Sequence, residues 1–178
     1  MHNEPLMDVA HLGHLELLTP RPEESLRFFV DVMGMTETGR EGDSVYLHAY
    51  DDYERHSLKL TASRLPGLGH VAYRTRSPQA LERRVAALKG SGFDIGWTSG
   101  DLAHGPAFLC QDPDGHKIEL YNETQWYQPP PELRPALKTR RSGSRRAAST
   151  CAAWIIGTVS PWTSRLIASF SRNTSAFA

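Results

Sequence analysis

The sequence predicts an α+β fold, in which two tandem copies of one strand–helix–strands module pack as one domain and a tail of different character follows. Three observations carry this expectation. Leu12-Gly13-His14 returns as Leu68-Gly69-His70, and the same offset relates Pro22 to Pro78 and Gly34 to Gly90, which marks an internal repeat. Each copy reads as strand, helix, then strands. Lastly, every acidic residue lies between Glu4 and Glu132, whereas Thr139 to the end holds none. The expected boundaries are 8–124 for the domain, with modules at about 10–64 and 66–124. A linker follows over 125–138, with Gln128-Pro129-Pro130-Pro131 unable to continue a helix, and the tail covers 139–178.

In the first copy Leu15 and Leu17 alternate with His14 and Glu16, the period of a strand. Pro22 suits the first helical position. Leu26, Phe29, Val30 and Met33 then form one apolar stripe, which Gly34 ends. Strand-like runs follow at Ser44-Val45-Tyr46-Leu47 and Ser57-Leu58-Lys59-Leu60. In the second copy Ser77-Pro78 offers an N-cap and a helical proline, Leu81, Val85 and Leu88 form the stripe, and Gly90 stops it. Ala107-Phe108-Leu109 and Lys117-Ile118-Glu119-Leu120-Tyr121 read as strands, joined by an Asp112-Pro113-Asp114-Gly115 turn. Helices of this kind pack on one side of a sheet.

Composition limits the function. The 178 residues carry 20 basic and 20 acidic groups, a balance that argues against a dedicated nucleic-acid or acidic-membrane binder. Cys110 and Cys151 are too few for a disulfide framework or a cysteine zinc site. No apolar run spans a bilayer, and the start lacks the pattern of a signal peptide, so a soluble cytoplasmic protein is expected.

Chemistry is suggested by three polar residues on strands. With Leu15 and Val71 facing the helices, His14 and His70 point to the other face, and Glu119 alternates with Ile118 and Leu120 in the same way. Two imidazoles and a carboxylate are the donors of a facial triad for a divalent metal such as Fe(II). A strand histidine is more often a hydrogen-bonded pocket residue and a strand glutamate is more often solvated or ion-paired, so spacing alone leaves both readings open. His11 could supply a fourth donor, but its place at the strand entrance favours the surface, where His116 is also expected, and Arg83-Arg84 are expected on a solvated helix face. Tyr73, Tyr121, Trp126 and Tyr127 are expected to pack rather than to form an aromatic box.

The stretches LGHLELLTPRPEESLRFFVDVMGM, SVYLHAYDDYERHSLKLTAS, GLGHVAYRTRSPQAL and FLCQDPDGHKIELYNETQWY together resemble the vicinal-oxygen-chelate superfamily, which implies two tandem βαβββ modules forming one vicinal-oxygen-chelate domain. More closely, residues 8–138 look like the N-terminal half of an extradiol dioxygenase of the catechol 2,3-dioxygenase type. The resemblance implies an enzyme that opens a small aromatic diol outside its hydroxyl pair, with O₂, Fe(II) or occasionally Mn(II), and a homo-oligomeric assembly. It also implies that the catalytic metal belongs to a second pair of modules. His14, His70 and Glu119 then fall at vestigial triad positions of a supporting pair, and no catalytic residue is assigned to this chain. The alternative is a free-standing two-module protein, either a glyoxalase-like metalloenzyme or a metal-free small-molecule binder. A purely structural domain serving assembly is a further one.

The tail does not resemble the family. Joining each codon's last base to the next codon's first two, Trp154-Ile155 and Trp162-Thr163 each force an aspartate. One allowed reading, LDHWNCLAVDI continuing as KANREFFEEYLGFR, repeats the strand, helix and Leu-Gly pattern. The expectation is a frameshift near Lys138 that replaced the catalytic half, leaving this chain without ring-cleaving activity. A basic disordered tail is the plain alternative.

Overall fold

The computed structural model describes residues 7–50 and 52–131. The expectations for the later linker and for the 139–178 tail, Cys151 included, lie outside the described residues.

The first copy folds as β1 (Val9–Thr19), α1 (Pro22–Arg27), β2 (Thr36–Glu41), β3 (Ser44–His48) and β4 (Leu58–Ala62). The second folds as β5 (Gly67–Thr75), α2 (Pro78–Leu88), β6 (Asp94–Thr98), β7 (Ala107–Gln111) and β8 (Lys117–Tyr121). The α+β expectation holds. All eight strands form one sheet in the order β2-β3-β4-β1-β5-β8-β7-β6. β1 and β5, the two Leu-Gly-His strands, meet antiparallel at its centre.

Either side of that seam the pairing repeats. β4 runs parallel to β1 with Leu15 opposite Leu58 and Glu16 opposite Lys59. β8 runs parallel to β5 with Val71 opposite Ile118 and Ala72 opposite Glu119. Lys59 in the first module is therefore the structural counterpart of Glu119 in the second.

Alternation sorts the sheet into two faces. Leu15, Leu47, Leu58, Leu60, Val71, Phe108, Ile118 and Leu120 are buried with Leu26 of α1 and with Leu81, Val85 and Leu88 of α2. Full burial of one such side chain contributes roughly 1.5–3 kcal/mol. The opposite face carries the polar residues.

Three local features differ from expectation. β2 and β6 were not legible as strands, because Thr-Glu-Thr-Gly-Arg-Glu and Asp-Ile-Gly-Trp-Thr lack a buried alternation. Both are edge strands, paired on one side only and half open to water. The α1 stripe does not run through as an α-helix either. Phe28–Val32 form a π-helical turn, in which the Met33 N–H reaches Phe28 O at 3.1 Å, so Phe29, Val30 and Met33 reach the core through a wider turn. Finally, Arg83 and Arg84 are not simply solvated. They grip Asp8, a buried carboxylate at the start of β1, at 2.6 and 2.8 Å, and so tie α2 to the sheet.

The α2 start is as expected: the Ser77 hydroxyl accepts the Ala80 N–H at 3.1 Å. Among the described residues no helix is long and apolar enough to cross a membrane.

Candidate metal centre

β1 presents His14 and Glu16, β5 presents His70, and β8 presents Glu119, all on the polar face. The three residues expected as donors are brought together. His14 Nε2 lies 3.0 Å from His70 Nε2, and Glu119 Oε2 lies 3.2 Å from His70 Nε2 and 3.5 Å from His14 Nε2. A fourth donor joins them from the β6–β7 loop. Asp101 Oδ2 is 3.2 Å from His14 Nε2 and 3.5 Å from His70 Nε2.

These separations bear directly on metal fit. Donors about 2.1 Å from one ion stand about 3.0 Å apart at right angles and about 3.4 Å apart at tetrahedral angles. Five of the six pairs among the four residues stand 3.0 to 3.5 Å apart, and all four donor atoms lie within 4.8 Å of one another. Glu119 Oε2 is buried without an aligned hydrogen bond among the described residues, which in a sheet interior is a costly state for an anionic oxygen. The donor set, its spacing and this orphaned oxygen all fit a divalent cation.

The surrounding groups aim these donors. The His70 Nδ1–H donates to Glu16 Oε2 at 2.9 Å, which aims Nε2 at the cluster. Histidines that hold metals usually have such a carboxylate behind them. Thr61 Oγ1 and Lys59 Nζ hold the other Glu16 oxygen at 2.6 and 3.3 Å. Lys59 also donates to Asp101 Oδ1 at 2.6 Å, and the Tyr46 hydroxyl reaches the same oxygen at 3.4 Å.

The two glycines of the repeated motif make room for these partners. A Cβ on Gly69 would overlap the Glu16 carboxylate, and a Cβ on Gly13 would overlap the Tyr121 hydroxyl. Tyr121 thereby donates to buried Glu54 at 2.6 Å while its ring stacks on His104 with centroids 4.4 Å apart.

Charge states follow from these contacts. Burial works against His70 being charged, but Glu119 and Glu16 outweigh it and push its pKa up to about 9. Burial raises Glu16 and Asp101, yet their cationic and hydroxyl partners win. Glu16 falls to about 2 and Asp101 lies far below the usual carboxylate range. Burial dominates at His14, whose pKa is lowered, and at His56, pushed down to about 2 by burial and by His14.

Glu16, Lys59, Asp101, His56 and His104 were not singled out from sequence. Glu16 was accessible, since it sits two residues after His14 and so shares its face. Asp101 and His104 were not, because they reach the cluster from a loop. His56 is buried beside His14, with ring centroids 4.6 Å apart. His104 Nε2 also faces the cluster, 3.7 Å from Glu119 Oε2, but it accepts the Asp101 N–H at 3.2 Å while its Nδ1–H donates to Gly105 O at 3.0 Å. It fastens the loop that delivers Asp101.

The remaining expected positions lie away from the donors. His116 is exposed and pairs with Asp112 at 3.0 Å. His11 is half-buried rather than at the surface, bonded to Glu54 at 2.8 Å and to the Tyr53 hydroxyl. Tyr73 and Tyr121 are buried, whereas Trp126 is 56% exposed and Tyr127 stacks on His48. These four form no aromatic box.

Paired βαβββ modules sharing one sheet define a class of fold, and comparison with known proteins agrees on that class. Residues 11–120 match the Glyoxalase/Bleomycin resistance protein/Dioxygenase superfamily, and the chain belongs to that family. It is 50% identical over 139 residues to a metapyrocatechase of Geobacillus stearothermophilus, covering 78% of this chain and 42% of that protein. It is 32% identical to a manganese-dependent 2,3-dihydroxybiphenyl 1,2-dioxygenase of Geobacillus genomosp. 3, across 74% of this chain and 42% of that one. Among solved structures it is similar to homoprotocatechuate 2,3-dioxygenase of Brevibacterium fuscum in an anaerobic complex with 3,4-dihydroxyphenylacetate. That match has a TM-score of 0.64 and 25% identity, over 70% of this chain and 40% of the other. The chain thus spans about two fifths of the length of these relatives.

Proposed function

We propose that this chain is the supporting, two-module half of an extradiol ring-cleaving dioxygenase acting on a catechol, and that its own His14, His70 and Glu119 hold a divalent metal. The 50% identity to a metapyrocatechase supports the first part. The convergence of buried donor atoms with an orphaned Glu119 oxygen carries the second.

Charge agrees with a dication. Glu16, Asp101 and Glu119 place three carboxylates around the cluster against the single ammonium of Lys59. Metal ligation displaces the proton that His70 otherwise holds up to about pH 9, and with both imidazoles then neutral the surplus is two negative charges, which one divalent ion cancels. Fe(II) is the resident ion of choice by resemblance, with Mn(II) the natural competitor on the same nitrogen and oxygen donors. Such an ion, when bound in an extradiol enzyme, supplies a template on which diol and O₂ meet.

This chain's own groups do the positioning. His14 and His70 each offer a lone pair, Glu16 fixes the His70 tautomer, and Glu119 supplies charge. The cytoplasmic location and homo-oligomeric assembly implied by the resemblance belong to the same proposal, as does the 8–124 domain boundary.

The free-standing alternatives divide on the cluster. Packed donors favour the glyoxalase-like metalloprotein over the metal-free binder. The test is metal analysis of purified wild type and His70→Ala after anaerobic loading with Fe(II) or Mn(II), combined with a catechol assay. One metal per chain in the wild type, its loss in the variant, and no yellow ring-opened product are expected. Absence of bound metal overturns the metal site, and yellow product overturns the supporting role.

A further inference from the structure

The four donors are not equivalent to an open facial triad, and the reason lies in the two-fold relation between the modules. His14 and His70 are counterparts across the β1·β5 seam. Glu119 has Lys59 as its counterpart, as the Glu16–Lys59 and Ala72–Glu119 pairings require. An ammonium has no lone pair to offer a metal at neutral pH, so the fourth symmetric position cannot ligate.

It does something else. Lys59 Nζ binds Asp101 Oδ1 at 2.6 Å, while the other oxygen, Oδ2, points at His14 and His70 at 3.2 and 3.5 Å. Asp101 stands as near to the two imidazole nitrogens as Glu119 does. Its loop is fastened by the His104 Nε2 contact to the Asp101 N–H. Asp101 is thus held in the place that a counterpart glutamate on β4 would have filled.

We infer that Asp101 is a fourth protein ligand, and that the centre is a closed four-donor site of His14, His70, Asp101 and Glu119 rather than one with positions open to a diol and O₂. Closed sites are structural, whereas catalytic ones keep a vacancy. Three observations agree. The donor separations run from 3.0 to 3.5 Å, from the right-angle to the tetrahedral value, so all four donors can reach one ion. All four side chains are buried or nearly so. The ligands come from both modules, so the ion would pin β1 to β5, to β8 and to the β6–β7 loop. This rests on the divalent-metal reading given above and assigns that metal a role: it fastens the two modules together.

Cobalt(II) separates the possibilities, since four-coordinate Co(II) absorbs visible light much more strongly than the six-coordinate ion. Full-length wild type, Asp101→Ala and His70→Ala are loaded with Co(II) and then titrated with catechol, with circular dichroism to verify folding. Wild type is expected to bind one Co(II) with a strong visible band that millimolar catechol leaves unchanged. Asp101→Ala is expected to keep Co(II), about 10- to 100-fold more weakly, with a spectrum that catechol now shifts. Asp101→Asn, which retains a neutral oxygen and the loop contacts, is expected to fall between them.

A weak wild-type band, or one that catechol shifts, overturns the closed site while leaving metal binding intact. An Asp101→Ala variant that binds Co(II) as the wild type does also overturns it. Failure of wild type to bind Co(II) above the His70→Ala level overturns the metal reading itself, and this inference with it.

Discussion

Glu16 and His70 stand opposite one another on β1 and β5, and the Glu16 carboxylate accepts the His70 Nδ1–H at 2.9 Å. The contact crosses the seam between modules and turns His70 Nε2 toward His14, Asp101 and Glu119. Replacing Glu16 with Gln keeps the shape but removes the charge behind the imidazole. Metal affinity is expected to fall about 10- to 100-fold, measured by competition with a chelator, with the fold retained by circular dichroism. Unchanged affinity would show that Glu16 does not aim the ligand.

Gly69→Ala tests the same relationship from the backbone. The added methyl occupies the space of the Glu16 carboxylate, so either the carboxylate or the strand must shift. Overpacking of this kind costs about 1–3 kcal/mol. Both stability to denaturant and metal affinity are expected to drop. Gly13→Ala is expected to lose stability alone, since its methyl meets Tyr121 and the Glu54 network behind it.

The metal-free protein should be most stable near neutrality. His70, raised to about 9, contributes stability that is complete below about pH 6.5 and is lost as pH climbs through 9. His56, depressed to about 2, is neutral in the fold but charges when the chain unfolds. Its neutral burial therefore counts against the fold increasingly as pH falls below about 6.5. Glu16, depressed to about 2, contributes stability above its ordinary carboxylate value that fades as pH falls toward 2. Melting temperature after exhaustive chelation should thus peak around pH 6.5–7. His70→Asn should remove the alkaline decline, and a variant that still declines would place that loss elsewhere.

Cys110 is buried and its thiol is pushed up to about 11, chiefly by burial and also by Asp112. The thiolate is the reactive form. In a Cys151→Ser background, alkylation at pH 8 should therefore be negligible until denaturant unfolds the sheet. Rapid labelling of the native protein would contradict the burial of β7.

Much of the architecture was legible because its signals are local. Leu12-Gly13-His14 and Leu68-Gly69-His70 marked two central strands, and Ser77-Pro78 marked a helix start that the Ser77 cap fulfils. His14, His70 and Glu119 were found by alternation, which fixes the face of a strand residue. Lys59 escaped because its equivalence to Glu119 depends on pairing register. The two lie 60 residues apart, four more than the repeat seen at the histidines, so sequence alignment of the copies does not superpose them. Asp101 escaped for a related reason. Its position depends on the β6–β7 loop folding back over the sheet, held by Lys59 and His104. The edge strands β2 and β6 lacked a pattern because water, not a core, faces much of their surface.

In the arrangement proposed above, His14, His70, Asp101 and Glu119 surround one divalent ion. Crystals of the full chain soaked anaerobically with Mn(II), measured for anomalous scattering, test it most directly. One strong anomalous peak is expected about 2.0–2.3 Å from His14 Nε2, His70 Nε2, Asp101 Oδ2 and Glu119 Oε2. A map without a peak there, with the two imidazole nitrogens still in contact near 3.0 Å, would contradict it.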